Sequence, residues 1–485
     1  MLFYTSTRNS FKNKLISLHV AKEGRVRTMS NKKSDCLHPI DWRYGSQEMR
    51  KIFSRVNRLE LLLKVEAAIA HAHAMVGNIP KKAAVEIEKK ASAKYVKLKR
   101  VDEIEKEIYH DIASVIRAFA EQCGEYGRYI HLGATSNDII DTAEAVRTKE
   151  ALTLIEKRIV KTIKNLIGIV NEHKETVCIG RTHGSQAVPY SFGHKIAIWL
   201  EEIVRHLGNI RRLKKENVVG KLSGAVGTRA AYGVHADRIV QITMEKLGIK
   251  AAVITHQLVS REIIAEIFME LVLLACSLDK FATEVRNLSR TEIGEVAEPF
   301  RSDKQVGSST MSHKRDPERS ERMSALARIM RGYTTPALEN IITWHERDLS
   351  NSASERYIYP EIFMTIDQML LDFDFVTSGL VVKTEQMKKN LDITKGLVMA
   401  EAIMTEIVKN GMNRQDAHEV LRKNSMEAVE KDKHLFEILK KDKEIAEYIS
   451  EKELKELFDS PGNYLGTVKE QIEIVLLLAE KAIKE

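Results

Sequence analysis

The chain has 485 residues, 44% of them hydrophobic and 30% charged, which is typical of a globular protein and excludes a disordered one. Its length predicts about two to four domains. The net charge of +8 does not indicate a nucleic-acid-binding surface, because residues 1–34 carry seven of these charges and the rest is nearly neutral. The four cysteines are far apart in sequence, which excludes a CxxC motif and favours a reduced, intracellular protein.

Residues 1–34 form a basic leader with eight lysines and arginines and one glutamate. The leader is a disordered tail, a targeting segment poor in acids, or an extension upstream of the native start. We favour the third interpretation, because a plausible protein begins at Met29. The leader does not have the compact apolar core of a secretory signal.

The first predicted elements are helices of moderate length. Apolar residues at three- and four-residue spacing predict helices within Glu48–Val76 and around Ala113–Phe119. A glycine-rich break, Gly124–Asn137, separates them from a region of different character. We therefore assign residues 35–130 to an N-terminal helical domain.

The central part of the chain predicts much longer helices. The four predicted spans are Asp141–Glu175, Tyr190–Val219, Gln257–Arg290 and Glu318–Met330. Such helices predict an elongated bundle over residues 131–383, and shorter helices over residues 384–485 predict a third domain. The fold class is all-α. The longest apolar stretch, Ile263–Leu278, contains two glutamates and predicts a buried bundle helix, so we expect no membrane span.

Polar, glycine-containing connections separate these helices and are longer than ordinary bundle turns. They are Gly180–Pro189, Gly220–Gly233, Ala297–Pro317 and Asn340–Pro360. Long loops on a rigid scaffold often carry functional residues, so the candidate site residues are sought there. Within the second connection, residues 221–227 (KLSGAVG) predict only a flexible loop.

The connection Gly307–Pro317 (GSSTMSHKRDP) is the richest in chemical groups. Exposed amides beside Ser308 and Ser309 suit anion binding. A serine acts as a general base only when its alkoxide is stabilised, and Lys314 and backbone dipoles are suited to that task. A solvated loop is the alternative interpretation.

Two further segments contain candidate groups. His183 lies in a glycine-flanked segment, GRTHGSQAVP, which favours an acid–base role over that of an ordinary surface histidine. Residues 131–138 (HLGATSND) place Thr135 and Ser136 before a helix, where they bind an anion or simply cap the helix.

Residues 344–356 (WHERDLSNSASER) contain a possible clamp for a dianion. Arg347 and Arg356 provide forked donors that match phosphate, and Ser352 adds a hydroxyl. A solvated polar loop is the alternative. The chain contains no Walker loop, Rossmann fingerprint or HExxH motif, and its histidine and carboxylate spacing indicates no metal site.

Together these segments resemble the fumarase/aspartase superfamily, whose signature GSSxMPxKxNP corresponds here to GSSTMSHKRDP. The resemblance extends in order from about residue 40 to 466 through IDWRYGS, YHDIASV, HLGATSNDIIDTA, GRTHGSQAVP, ITKGLVMAEAI and LFDSPGNYLG. The segments WHERDLSNSASER and KRDPERSERM resemble the adenylosuccinate lyase family in particular. Two residues depart from the pattern: Ser312 replaces the usual proline and Asp316 the usual asparagine. A charge at Asp316 implies that it is protonated, paired with a base, or different in role.

The resemblance implies a carbon–nitrogen lyase that releases fumarate from adenylosuccinate, giving AMP, and from succinylaminoimidazole carboxamide ribotide. His183 would be the general acid, and Glu321 would orient it. Ser308 would be the base, and Lys314 would stabilise the carbanion. Another fumarate-releasing lyase of the superfamily, such as argininosuccinate lyase, is the alternative.

The resemblance also implies a substrate-binding set. The nucleotide phosphate would be held by Arg43, Tyr44, Arg347, Ser352 and Arg356. The remaining contacts would come from Tyr109, His110, Asp111, Thr135, Ser136, Thr182, Gln257, Ser309, Met311, Asp316 and Arg322. We expect no cofactor or metal, no nucleic-acid or membrane partner, and a cytoplasmic location. The chain would form a homotetramer with a twenty-helix core, in which three subunits build each active site.

Overall fold

The computed structural model describes residues 36–300 and 304–485, so the predicted basic leader lies outside the described residues. The chain divides into two compact units, one ending at Arg43 and the other comprising Tyr44–Glu485. In the first unit, Pro39–Asp41 form a short 3-10 helix. The Arg43 guanidinium of this unit lies 5.8 Å from the centroid of the Trp42 ring.

The second unit is almost entirely helical, which confirms the all-α prediction. Its helices are α1 (Gln47–Phe53), α2 (Arg55–Met75), α3 (Lys81–Lys90), α4 (Leu98–Ile108), α5 (Asp111–Gln122), α6 (Ser136–His173), α7 (Phe192–Glu216), α8 (Ala236–Leu247), α9 (Arg261–Leu288), α10 (Glu318–Gly332), α11 (Thr334–Glu339), α12 (Ser350–Thr377), α13 (Thr384–Asp392), α14 (Ala400–Lys409), α15 (Arg414–Glu430), α16 (Leu435–Leu439), α17 (Lys443–Ala446), α18 (Glu451–Asp459) and α19 (Val468–Lys484).

Six short strands form three two-stranded sheets within the described residues. The strands are β1 (Val177–Thr182), β2 (Ser185–Ser191), β3 (Val219–Gly220), β4 (Lys250–Ala251), β5 (Val296–Ala297) and β6 (Val381–Val382). The pairs β1–β2 and β5–β6 are antiparallel, and β3–β4 is parallel. Each sheet has a strand that packs against a long helix: β2 against α7, β3 against α6 and β5 against α9.

The long helices α6, α7, α9, α10 and α12 pack against one another as a bundle. Phe281 of α9 is fully buried and stacks on Trp199 of α7 and Phe373 of α12, with ring centroids 5.0 and 5.6 Å apart. Offset aromatic contacts of this kind add to the hydrophobic stabilisation and align the three helices. The bundle is the rigid support from which the candidate loops project.

Helix α9 contains the longest apolar stretch of the sequence and is a bundle helix, as predicted. Its Glu270 is buried and lies 2.6 Å from Nδ1 of His206 on α7, so the carboxylate has a hydrogen-bond partner inside the bundle. Among the described residues, no helix is both long and apolar enough to cross a membrane.

Two hydrophobic clusters lie on either side of the bundle in sequence. One is built mainly from α2–α5 and also contains Tyr232, from the second connection, and Ile239 of α8. The other is built from Leu391–Leu454 together with Ile179. The chain therefore returns to the N-terminal cluster after α7, and the domain boundaries at 130 and 383 remain a proposal.

Two predicted connections have more structure than expected. Gly180–Pro189 belongs to the β1–β2 hairpin, in which Thr182 pairs with Ser185. The loop expected over Asn340–Pro360 ends at Leu349, because α12 begins at Ser350 and continues through Pro360. Proline removes one hydrogen-bond donor from a helix. The residues that follow Pro360 in α12, including Phe363, are buried, and this burial stabilises the helix.

Candidate active site

His183 lies at the tip of the β1–β2 hairpin. His183 and Gly184 form the two-residue turn, with φ values of 54° and 80°. A two-residue hairpin turn with two positive φ angles matches the twist of its strands, and glycine at the second position makes it accessible. The His183 side chain is exposed, so it is presented to a ligand or a neighbouring chain.

The part of this hairpin next to the turn is held by a buried carboxylate. Arg181 forms a bidentate pair with Glu295, at 2.6 and 3.1 Å, and Glu295 is almost completely buried. Asn390 of α13 also donates to Glu295, at 2.7 Å, and its carbonyl oxygen accepts from Gln186 at 3.0 Å. Bidentate arginine–carboxylate pairs restrict orientation as well as distance, so the position of the tip is well defined.

The segment from Glu298 to Pro317 carries the serine-rich signature and is closed at its base. The Glu298 carboxylate accepts the N–H groups of Arg319 and Ser320 at 3.1 and 2.7 Å, and the Ser320 hydroxyl at 2.6 Å. Glu298 therefore caps α10, where a negative charge is favourable. This contact joins the two ends of the segment.

Gly307 and Ser308 are the first two residues of the signature. The Ser308 Oγ accepts the backbone N–H groups of Thr310 and Met311, at 3.3 and 3.0 Å. These donors favour negative charge on that oxygen, which a serine base requires. A Cβ at Gly307 would lie 2.1 Å from the carbonyl oxygen of Lys314, so only glycine permits this approach.

Lys314 and Asp316 form an ion pair. Their Nζ and Oδ2 atoms are 3.4 Å apart, and both side chains are partly exposed. The expectation that a charged Asp316 would be paired with a base is thus met by Lys314 itself. Exposed ion pairs are weak, so this pair holds the ammonium group of Lys314 only loosely.

Glu321 lies in the first turn of α10 with its side chain exposed. In the described part of one chain, no hydrogen bond or ion pair joins Glu321 or Ser308 to His183. Arg322, next to Glu321, forms a bidentate pair with buried Asp372, at 2.5 and 2.7 Å. This contact gives Arg322 a structural role alongside the predicted one in binding.

The predicted phosphate clamp lines a cavity of about 380 Å³ between α2, α6 and α12. Arg347, Ser352 and Arg356 all contribute to its wall. Arg356 Nη2 lies 2.7 Å from Oδ2 of Asp111, the first residue of α5. The structure therefore brings together four residues of the predicted binding set.

Arg347 is connected to a fifth predicted residue. Its Nη1 donates to Oε1 of Gln257 at 2.7 Å, and Gln257 Nε2 donates to the carbonyl oxygen of Ala225 at 2.7 Å. Burial lowers the pKa of Arg347, the Asp141 carboxylate raises it, and the nearby Arg261 guanidinium lowers it. A bound anion would offset the effects of burial and of Arg261.

A buried charge network behind the clamp was not recognised in the sequence. Arg261 forms a bidentate pair with Asp141 at 2.9 Å and also donates to Glu355 at 2.8 Å. Burial raises the pKa of Glu355, although the contact with Arg261 opposes that shift. In sequence Arg261 falls inside a predicted helix and Glu355 inside a predicted polar connection, and neither pattern reveals that the two meet.

Asp138 and Lys221 form a second buried pair, with Oδ1 and Nζ 2.6 Å apart and both side chains almost completely buried. Asp138 also accepts the N–H groups of Ser223 and Gly224 and the Tyr232 hydroxyl, at 2.8, 3.1 and 3.0 Å. The prediction of a flexible loop over residues 221–227 is therefore wrong at its start. A lone lysine beside a glycine-rich stretch does not signal a buried partner.

Asp138 also accepts the N–H of Thr135 at 3.0 Å, as part of a capping box at the start of α6. The predicted capping role of this segment is thereby confirmed, and it leaves the proposed contacts of Thr135 and Ser136 with substrate open. His110 similarly caps α5, since its Nδ1 accepts the N–H of Ala113 at 3.2 Å.

The other predicted binding residues lie at exposed positions. Tyr109 follows α4 with φ 52° and is 89% exposed. Thr182, Ser309 and Met311 are exposed on the hairpin and the signature segment.

Two cysteines are buried. Burial raises the pKa of Cys123 to about 11 and that of Cys178 to about 12, which keeps both as thiols.

Family models match most of the chain. A lyase family model matches residues 43–332, and a model of the adenylosuccinate lyase C-terminus matches residues 396–475. Adenylosuccinate lyase of Pyrococcus horikoshii is 50% identical over 445 residues, covering 92% of this chain and 98% of that protein. The enzyme of Methanocaldococcus jannaschii is 45% identical over 441 residues, covering 91% and 95%.

Solved structures show the same fold. A fumarate lyase from Mesorhizobium sp. BNC1 has a TM-score of 0.82 and 31% identity, covering 89% of this chain and 98% of its own. The 3-carboxy-cis,cis-muconate lactonizing enzyme from Pseudomonas putida has a TM-score of 0.83 and 29% identity, covering 90% and 98%.

Replacement of Asp138 by asparagine is expected to lower the free energy of unfolding by about 3–5 kcal/mol, because it leaves the Lys221 ammonium buried without a counter-charge. The loss is measured by denaturant unfolding of the variant and the wild type. Asp237→Asn removes an exposed carboxylate paired with Arg229 and should cost less than about 1 kcal/mol. Equal losses in the two variants would show that the buried Asp138–Lys221 pair contributes no more to the free energy of unfolding than an exposed ion pair.

Proposed function

The chain belongs to the adenylosuccinate lyase family, and we propose that it releases fumarate from adenylosuccinate, giving AMP, and from succinylaminoimidazole carboxamide ribotide, giving aminoimidazole carboxamide ribotide. Near-full-length identity of 50% to an adenylosuccinate lyase carries this proposal. The arginine-lined cavity supports it, because both substrates contain a phosphate that forked guanidinium donors suit.

The proposed reaction is a β-elimination in which side chains supply the acid and the base. The Ser308 alkoxide takes the proton from the carbon beside a carboxylate, and the Lys314 ammonium stabilises the charge that spreads into that carboxylate. The carbon–nitrogen bond then breaks, and His183 donates a proton to the departing nitrogen. Acid and base groups typically contribute about 10²–10⁴-fold each, and the proposed chemistry needs no cofactor.

We also propose that active sites are shared between subunits of a homotetramer with a twenty-helix core. His183 is exposed on the hairpin, and Glu321, the residue proposed to orient it, is exposed on α10. Association of chains would supply each with its partner. Arg43 and Tyr44 are proposed to join the phosphate site in the same assembly.

The alternative is another fumarate-releasing lyase, such as argininosuccinate lyase. The arginine cavity favours the nucleotide enzyme, because a phosphate-free substrate gives these cations no ligand. A cytoplasmic location is part of the proposal. It is supported by the four cysteines, which are all free in the described part of the chain.

Purified protein mixed with adenylosuccinate is expected to show the absorbance change of AMP formation, with fumarate released in equal amount. His183→Gln and Ser308→Ala should each lower kcat by about 10²–10⁴-fold, since each removes one proton-transfer group. A folded wild-type protein that leaves adenylosuccinate unchanged would exclude the proposed function.

Mixing the inactive His183→Gln and Ser308→Ala proteins under conditions of subunit exchange is expected to restore activity. Sites that draw their acid and base from different chains will include some with both groups intact. The restored kcat is measured against each variant alone after the same treatment. Absence of recovery, with exchange shown by mixed oligomers, would place both groups in one chain.

Arg347→Gln is expected to raise KM for adenylosuccinate by about 10- to 100-fold, because it removes charged hydrogen bonds to the phosphate. Turnover of succinyladenosine, the same substrate without phosphate, should change little. Arg422→Gln, which removes an exposed cation paired only with Glu419, serves as the matched control. An equal loss for both substrates would argue against phosphate binding by Arg347.

A further inference from the structure

The arginine-lined cavity contains an unusual concentration of buried polar atoms without partners. Eight buried side-chain nitrogen and oxygen atoms in the described residues have no hydrogen-bond partner. Half of them belong to residues that line this cavity: Asn137 Oδ1, Arg147 Nε, Arg347 Nε and Asn351 Oδ1. Buried polar groups are costly when unpaired, so this clustering indicates that the cavity is built for a polar occupant.

The four atoms divide into two donors and two acceptors. The guanidinium nitrogens of Arg147 and Arg347 require an acceptor, whereas the amide oxygens of Asn137 and Asn351 require a donor. A phosphate dianion alone offers only acceptors and would be repelled by the amide oxygens. A sugar phosphate offers both kinds of group, because its hydroxyls can donate to the amide oxygens.

The two asparagines are firmly placed. Each is 3% exposed, Asn137 in the first turn of α6 and Asn351 in the first turn of α12. Asn351 Nδ2 donates to Glu355 Oε1 at 2.9 Å, which orients its free oxygen. A cavity of about 380 Å³ lies within the usual range for small ligands.

Arg58 of α2 lines the same cavity and is only loosely paired. Its Nη2 is 3.9 Å from Asp111 Oδ2, the atom that Arg356 holds at 2.7 Å. Burial lowers the pKa of Arg58, the nearby Glu144 carboxylate raises it, and the neighbouring cations Arg147 and Arg356 lower it. Asp111 is thus a counter-ion shared by two guanidinium groups, and the cavity retains an excess of positive charge.

We propose that Arg58 is a third cationic ligand of the substrate phosphate, beside Arg347 and Arg356, and that Asn137 and Asn351 accept hydrogen bonds from the sugar hydroxyls. The cavity would then bind the sugar-phosphate half of the substrate within one chain. The identity of that substrate rests on the proposed function, whereas the match to a sugar phosphate rests on the cavity alone.

The test uses full-length Arg58→Gln and a matched control, Arg55→Gln. Arg55 lies on the same helix and the same cavity, but it pairs with Asp102 at 2.6 Å and is largely exposed. Calorimetric titration with ribose 5-phosphate should show a Kd raised about 10- to 100-fold for Arg58→Gln and less than about 3-fold for Arg55→Gln. For adenylosuccinate the change should fall on KM rather than kcat, and Arg58→Lys should recover part of the loss.

A second pair of ligands tests the asparagines. Asn137→Ala should weaken ribose 5-phosphate by about 2- to 10-fold and leave the affinity for inorganic phosphate unchanged. An equal loss of affinity for ribose 5-phosphate and for inorganic phosphate would rule out the proposed contact with a sugar hydroxyl. Thermal unfolding of each variant separates loss of binding from loss of fold.

Equal Kd values for Arg58→Gln and Arg55→Gln would overturn the assignment of Arg58, as would a wild-type protein that does not bind ribose 5-phosphate at millimolar concentration. These outcomes are separate from failure of the proposed function. If the wild-type protein binds ribose 5-phosphate through Arg58 but does not cleave adenylosuccinate, the assignment of the cavity stands and the proposed reaction is excluded.

Discussion

The carboxylate of Asp138 holds together the segments on which the candidate site is built. It lies at the start of α6 and accepts hydrogen bonds from Lys221, Ser223, Gly224 and Tyr232. Burial of an ion pair is costly, and this pair is sustained because both oxygens of the carboxylate have donors. The result is that a glycine-rich segment expected to move freely is fixed against the bundle.

That constraint extends to the proposed phosphate clamp through successive contacts. Ala225 follows the anchored glycine, its carbonyl oxygen accepts from Gln257, and Gln257 in turn accepts from Arg347. The buried Arg261 network supports the same region from behind and joins α6, α9 and α12. Arginine side chains lose much rotamer freedom on binding, and preplacing them in this way reduces that cost.

The proposed catalytic groups follow a different principle. Glu295 fixes the hairpin that carries His183 beside its turn, and Glu298 closes the segment that carries Ser308. His183 itself is exposed. Exposed groups on firmly held segments suit a site that neighbouring chains complete. The related folds also include a lactonizing enzyme, so the fold does not determine the reaction, and the local groups must.

The sequence alone determined much of this protein. Apolar periodicity located α6, α7, α9 and α10 and the all-α class, since a bundle helix must repeat its buried face about every 3.6 residues. The motifs around His183, Ser308 and Arg347 indicated the family, because their chemistry requires particular residues at short spacing. Local patterns of this kind are encoded within a few turns of chain.

Only the tertiary structure decided which distant charges meet. Asp138 and Lys221 are 83 residues apart, and Arg356 and Asp111 are 245 apart, so no local pattern predicts either pair. The same holds for the unpaired atoms of Asn137 and Asn351, whose significance depends on burial beside one cavity. Likewise, the connection predicted over Asn340–Pro360 does not anticipate α12, because the burial that sustains a helix through a proline comes from packing against other helices. Long-range electrostatics and burial are properties of the packed chain, and they decided the form of the site.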